Sequence, residues 1–530
     1  MNNADVDIYD TTLRDGTQRE GISLAVSDKL RIAERLDALG VAFVEAGWPG
    51  SNPKDAELFR RARDVDWRHT TLAAFGATRR AGIGPEDDAN LAALLDSGAR
   101  ACTIFGKTSL LHVQQVLRTT PDENLAMIED SVRYLAAHDR RVIYDAEHFF
   151  DGAREDLAYA IATLEAAVRG GAEAIVLCDT NGGTLPWEIE DRVRLVVSEL
   201  SIAVGIHAHD DGGCAVASSL AAVRAGATHV QGTLNGYGER CGNANLTTLI
   251  PDLELKLGRR CVRPGVLAEL GSVARFAAEI ANLAFDEHAP YYGRSAFAHK
   301  GGVHVAAVRR APRAYEHVDP ARVGNRTRFV VSELSGRANV EAFAEEHGTA
   351  ASDVLATVKE REAQGYAFES ADAAVALMMR RREPAYSAPF ELVDYKLMLG
   401  NGYADAAVKL RVGGQLVHTA AEGNGPVSAL DTALRKALAV VYPEVDSIHL
   451  EDYKVRIIDG RDGTRAITRV LIDHAFRHGH GHDRWTTVGA SPSIVEASLV
   501  ALVDGIEHGL WLARRPRKES DESHDRLATG

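Results

Sequence analysis

With 530 residues, 45% of them hydrophobic, the chain exceeds one compact core and can bury two or three domains. Its 60 basic and 75 acidic residues leave a formal charge of −15, which opposes an extended footprint on nucleic acid or an anionic membrane. Five cysteines, Cys102, Cys178, Cys214, Cys241 and Cys261, stand singly, arguing against a disulfide framework and for a reducing cytoplasm. Neither an export leader nor an apolar run of membrane-spanning length, about 18 residues, is expected from the sequence.

Eight short apolar or β-branched runs open the chain: Val6 to Leu13, Ala42 to Ala46, Thr70 to Phe75, Ala101 to Phe105, Val142 to Ala146, Ala174 to Cys178, Ala203 to Ala208 and His229 to Leu234. The segments between them carry helical periodicity, as at Leu30, Ala33, Leu36 and Leu39 after a Ser27 cap. Glycine precedes several of the strands, at Gly40, Gly98, Gly171 and Gly226, where a left-handed helix cap costs it little. Strand, helix and glycine in eight repeats predict an α/β fold, a (β/α)8 TIM barrel over residues 1–266. An open doubly wound sheet is the rival, but no glycine-rich phosphate fingerprint follows the first strand.

In such a barrel the chemistry gathers where the strands end. Those ends carry Arg14 and Asp15, Glu45, Lys107, Asp145 and Glu147, Asp179 and Thr180, His207 and His209, and the stretch from Asn235 to Asn243. His207 and His209 alternate on one strand, so their imidazoles emerge on the same face and can share a cation. Asp15 ends the first strand and Asn243 follows the eighth, both close to the seventh around a closed barrel. Two imidazoles, a carboxylate and a candidate amide oxygen would leave positions open for a substrate and water, as a catalytic site requires. Mixed nitrogen and oxygen ligation does not choose among Mn, Zn, Mg and Co.

From residue 267 to 389 the pattern is helical, broken by turns such as Ala289-Pro290 and Asp319-Pro320, and is expected to form linker subdomains. Lys300, Arg309, Arg310 and Arg313 form a basic cluster that suits either the phosphates of a polyanionic small ligand or a solvated face. Residues 390–514 alternate strands with helices and look internally duplicated, an α+β domain in which Pro426 and Pro492 each introduce a helix. His478, His480 and His482 read as a hairpin loop in preference to a second metal site, and the charged tail 515–530 is expected to be disordered.

The stretch Tyr9-Asp10-Thr11-Thr12-Leu13-Arg14-Asp15-Gly16-Thr17-Gln18 resembles the opening motif of the alpha-isopropylmalate synthase, homocitrate synthase and citramalate synthase family. Three further segments look like the same family: His207-Ala208-His209-Asp210-Asp211, Gly236 to Asn243, and His299-Lys300-Gly301-Gly302-Val303-His304. Glu45 to Lys54 is most similar to the branch that uses pyruvate.

The resemblance implies an acyltransferase that condenses acetyl-CoA with a small 2-oxo acid, pyruvate in that branch, at the start of an isoleucine route that does not need threonine. It also implies a divalent metal on Asp15, His207 and His209 with Asn243 as a ligand or neighbour, Arg14 as the group facing the keto oxygen, and Thr180 on the substrate carboxylate. Glu147 is implied in acid or base work or in orienting a water. His304, helped by Tyr315, is implied in proton transfer over the partner subunit's barrel mouth. The last domain resembles a leucine- or isoleucine-binding regulatory domain, so a homodimer and a branched-chain amino acid effector, isoleucine first, are expected. A 2-oxoisovalerate-using isopropylmalate synthase, a metal-barrel lyase or aldolase and a silent amino-acid sensor are the alternatives.

Overall fold

The computed structural model describes residues 5–514, except 334, 352, 459 and 479–480 and the side chains of 462, 477, 478, 481 and 482; the expected disordered tail and the His478, His480 and His482 cluster lie outside the described side chains.

Eight parallel strands close into a barrel: β1 (Asp7–Asp10), β2 (Phe43–Gly47), β3 (Thr71–Ala77), β4 (Ala101–Lys107), β5 (Arg141–Glu147), β6 (Ala174–Asp179), β7 (Ala203–Ala208) and β8 (His229–Gly232). β1 pairs with both β2 and β8, which closes the ring and rules out the open sheet. The helices between strands bury Ile32, Leu36, Leu58 and Leu164 against outward-facing residues such as Ile8, Val44 and Ile175. Inward, Tyr9, Phe43, Ala73, Ala101, Ile143, Ala174, Val176 and Cys178 pack on one another, so the barrel is filled at its base. Gly40, Gly98, Gly171 and Gly226 all adopt positive φ, between 74° and 118°, at the helix-to-strand turns.

β1 stops three residues short of the expected Leu13 because the Asp10 carboxylate accepts from the Thr12 N–H at 2.8 Å and from its hydroxyl at 3.0 Å. Thr12 Oγ1 in turn accepts from the Leu234 N–H at 2.8 Å, joining the loops after β1 and β8. The turn carries Arg14 and Asp15 over the barrel's open end. Burial raises the Asp10 carboxyl to about 7.

The chain divides into two units, one running to Phe297 with Val318–Arg326, the other Ala298–His317 with everything from Thr327 onward. The first unit therefore runs past residue 266; Leu270–Ile280 forms an amphipathic helix whose Leu270, Val273 and Ala277 join the barrel's outer core. In the second unit a two-stranded pair, β9 (Ala298–His299) and β10 (Arg328–Phe329), accompanies four α-helices among the described residues between Gly302 and Arg380. Val340, Phe343, Val358, Val375 and Met379 of those helices form a core that also takes in Val488.

The expected duplication is present as two copies of a three-strand antiparallel sheet followed by a helix. β11 (Phe390–Leu399), β12 (Ala404–Val412) and β13 (Gln415–Gly423) precede helix Pro426–Leu438; β14 (Ile448–Ile457), β15 (Thr468–His478) and β16 (Gly481–Ser491) precede helix Ile494–Arg514. Both helices bury one apolar stripe in a shared core that holds Leu410, Leu430, Leu434, Val470, Ile472, Leu502 and Ile506. The copies differ at their prolines: Pro426 is the first residue of its helix, whereas Pro492 lies two residues ahead of Ile494 in the connecting bend. No helix among the described residues is long and apolar enough to cross a membrane.

Candidate metal and substrate site

Strand parity sets the floor of the site. Residues two apart share a face, so Glu45, Thr103, Asp145, His207 and Gln231 form an inward layer above the apolar base. The contacts across the axis bear this out: the Tyr9 hydroxyl donates to Glu45 Oε1 at 2.9 Å and lies 2.6 Å from Thr103 Oγ1, and Gln231 Nε2 donates to Asp145 Oδ1 at 2.9 Å.

On that floor Asp15, His207 and His209 come together, all buried, each offering one ligand atom within 4.8 Å of the others. His207 Nε2 lies 3.5 Å from Asp15 Oδ2, and the two imidazole centroids are 5.0 Å apart. Asn243 is brought beside them by an isolated bridge to His209. Its Nδ2 donates to the Tyr237 carbonyl at 3.1 Å, which leaves the amide oxygen directed elsewhere. Gly238 has φ 154°, and a Cβ there would sit 2.2 Å from Asn243 Nδ2, so the loop needs glycine at that point.

Asp15 Oδ1, His209 Nδ1 and Asn243 Oδ1 are buried without a hydrogen-bond partner. Buried polar atoms are nearly always satisfied, so three orphans of lone-pair-bearing type in one cluster fit a divalent cation. Electrostatics agree. Burial opposes ionisation of Asp15, but the Arg14 guanidinium leads the interactions that outweigh it, and the carboxyl is held below its ordinary value. Burial also pushes His207 down to about 4 and His209 down, so both imidazoles are neutral and can act as ligands.

Arg14 lies alongside. Its Nε donates to Glu45 Oε2 at 2.5 Å, Nη1 stands 3.5 Å from Asp15, and the guanidinium rests 3.8 Å above the Phe75 ring. Burial disfavours the charge, yet Glu45 and Asp15 more than offset it and raise the guanidinium's pKa. The side chain is locked as a cation with part of its donor fork still free of Glu45. Phe75 and Phe105 share the inward face of Ala73 and Ala101 and stack at 5.4 Å; Trp48 meets both edge-on at 5.6 and 5.7 Å. The three rings wall one side of the mouth.

Thr180 and Glu147 reach the same end of the barrel. The Thr180 hydroxyl accepts from the His148 N–H at 2.9 Å, tying the loops after β5 and β6 while keeping its own proton to donate. Glu147 is ion-paired with Lys107, a partner that charge alone at the strand ends did not assign. His304 and Tyr315 belong to the second unit, not to the barrel that carries the other candidates; there their rings stack at 4.2 Å and both are exposed. Two members of the basic cluster are neutralised locally, Lys300 by Glu369 and Arg309 by Glu345 at 3.2 Å, which favours the solvated-face reading for them.

Comparison with known proteins follows the same division. Residues 5–273 match the family model described as HMGL-like, residues 292–364 the homocitrate synthase post-HMGL domain-like model, and residues 369–510 the LeuA allosteric (dimerisation) domain. The chain is 52% identical over 529 residues to the (R)-citramalate synthase of Synechocystis sp., an alignment covering 95% of this chain and 96% of that protein. It is 48% identical over 518 residues to the (R)-citramalate synthase of Geobacter sulfurreducens, covering 95% and 97%. The 2-isopropylmalate synthase of Pyrococcus furiosus is 31% identical over 517 residues, covering 94% and 98%.

Proposed function

Because the chain belongs to the (R)-citramalate synthase family of HMGL-like proteins, we propose that it condenses acetyl-CoA with pyruvate to give citramalate and CoA. The observation that carries this reading is the meeting of three orphaned ligand atoms, on Asp15, His209 and Asn243, with the Arg14 guanidinium at one barrel mouth.

Asp15, His207 and His209 hold a divalent cation in this reading, with Asn243 as a fourth protein ligand. When bound, the cation supplies Lewis-acid polarisation of the keto carbonyl. Arg14, held by Glu45 and Phe75, stabilises the keto oxygen as it gains negative charge. Thr180 donates its hydroxyl proton to the pyruvate carboxylate. His304, with Tyr315 against it, takes the proton from the acetyl methyl group. The carbon so freed bonds to the keto carbon as the carbonyl π pair moves to oxygen, which takes up a proton to become the product hydroxyl; water then cleaves the thioester, and CoA leaves as the thiol. Glu147, paired with Lys107, assists the acid and base steps. A dimer is the assembly that brings His304 of one chain to the mouth of another, and the duplicated C-terminal layer supplies the pairing surface and an isoleucine site.

Preference for pyruvate is supported by the gap between 52% and 31% identity to the two named activities. The aromatic wall of Trp48, Phe75 and Phe105 supports it independently, since a mouth narrowed by three rings suits a methyl group better than a branched chain. Thiol release from acetyl-CoA, compared at equal subsaturating concentrations of pyruvate and 2-oxoisovalerate, tests the assignment. Release should be at least about 10-fold faster with pyruvate, the scale set by a misfit of one or two methylenes. Faster release with 2-oxoisovalerate would transfer the assignment to isopropylmalate synthesis.

A further inference from the structure

Gln231 has no counterpart in the reading above, and its surroundings are unusual. β7 and β8 place it beside His207 in register, its side chain wholly buried on the barrel axis. There it touches two polar partners. Its amide oxygen lies 2.9 Å from His207 Nδ1, and its amide nitrogen donates at 2.9 Å to Asp145 Oδ1 on the opposite wall. Asp145 is itself buried, and no other hydrogen bond to its carboxyl is seen among the described residues. A carboxyl at the centre of a barrel is costly and packs poorly, so its retention calls for a polar task.

We propose that Asp145 and Gln231 together are positioning residues that set the tautomer of His207 and so prepare it as a metal ligand. With the amide nitrogen toward the accepting Asp145 oxygen, as the 2.9 Å contact has it, the amide oxygen turns toward His207. An amide oxygen can only accept, so His207 must carry its proton on Nδ1. The lone pair is then on Nε2, the atom that faces Asp15 at 3.5 Å. Burial raises the Asp145 carboxyl well above its ordinary value; a neutral carboxyl still accepts through its carbonyl oxygen, and the tautomer of His207 separates that arrangement from one in which its O–H donates. The inference rests on reading Asp15, His207 and His209 as a metal centre.

The test is a titration of the metal-free full-length protein with Mn2+, read by calorimetry, so that binding is separated from turnover. Gln231→Leu should weaken Mn2+ binding by about 10- to 100-fold, the usual effect of removing a group that orients a histidine ligand. The double variant Asp145→Asn with Gln231→Glu reverses donor and acceptor between the two positions but keeps an acceptor facing His207. Its affinity should return to within a few-fold of the parent's. If Gln231→Leu does not fold, by circular dichroism and melting temperature, Gln231→Met carries the same expectation. Parent-like binding by the Leu or Met variant, or a double variant as weak as the single, overturns the proposal. Nitrogen-15 NMR of labelled histidine gives a second readout: a His207 proton on Nε2 in the metal-free parent would show the amide reversed and also overturn it. If the parent binds no Mn2+ at all, the metal-centre reading fails instead, an outcome distinguishable from the others.

Discussion

The barrel and the C-terminal layer use strands in opposite ways. β2 and β6 are buried along their whole length because helices cover one face and the barrel interior the other. β12 alternates between buried and open positions, its apolar residues reaching the shared core on one face only. β14 is open along most of its length. Met398, Leu399, Leu416 and Ile457 remain 56% or more exposed across the two sheets, a scatter of large apolar groups that a lone sheet does not need. A closed barrel can place charged groups at its mouth because its edges are abolished; an open layer keeps its edges and one face free for pairing. The proposed chemistry and the proposed control thus fall on different architectures.

The largest expected effect falls on turnover. His304→Ala should lower kcat by about 10²-fold or more while leaving pyruvate binding nearly unchanged, because a general acid or base acts on the reaction and contributes on that scale. Steady-state kinetics read both quantities, and unchanged kcat would return His304 to an exposed residue of the second unit.

Control comes next. Isoleucine should inhibit the intact chain, leucine and valine less, with a coupling of about 1–3 kcal/mol. Cutting after Pro389 should remove the response, but Val488 of β16 sits in the same core as Val375 and Met379, so the cut also strips that core. Titration of the intact chain is the cleaner measurement; no inhibition by any of the three would remove the effector from the account.

The smallest effect concerns acid stability. His474 is buried between Trp485 and Thr487, and burial pushes it down to about 3. Between that value and the ordinary 6.5 the unfolded chain takes up a proton that the folded one refuses, so stability is lost as the pH falls below 6.5. From pH 7 to pH 5 the loss is about 2 kcal/mol. His229, buried in the barrel's base against Tyr9 and Phe43 and pushed down to about 4, shifts stability in the same direction. Urea unfolding of the parent and of His474→Gln at the two pH values should show a smaller pH dependence in the variant; an equal dependence would contradict the account of His474.

Much of the architecture was legible because period and punctuation agree: apolar runs, intervening amphipathic helices and glycines at the caps describe a barrel without any contact being known. Asp15, His207 and His209 were legible for a similar reason, since alternation puts both histidines on one face and closure brings the first strand round to the seventh. Gln231 was not, because a neutral amide in an apolar strand carries neither charge nor spacing to mark it. Its role depends on facing Asp145, 86 positions away in the chain. Phe75 and Phe105 likewise read as ordinary strand residues until parity placed them inward. The first strand was drawn too long because Asp10 breaks it through side-chain hydrogen bonds that compete locally with the sheet. Adjacent charges could not assign Lys107 to Glu147 either, since they come from different strands.

If Asp15 and its neighbours form a metal-dependent condensing site, product formation must follow the metal. Protein stripped of metal by a chelator is given acetyl-CoA, pyruvate and then Mn2+, and product formation is followed by carbon-13 NMR. Citramalate should be absent before the metal, appear after it, and stay at least about 10³-fold slower in Asp15→Ala, since several kcal/mol of charge stabilisation is at stake. Full citramalate formation by the stripped protein, or by Asp15→Ala, would contradict the account.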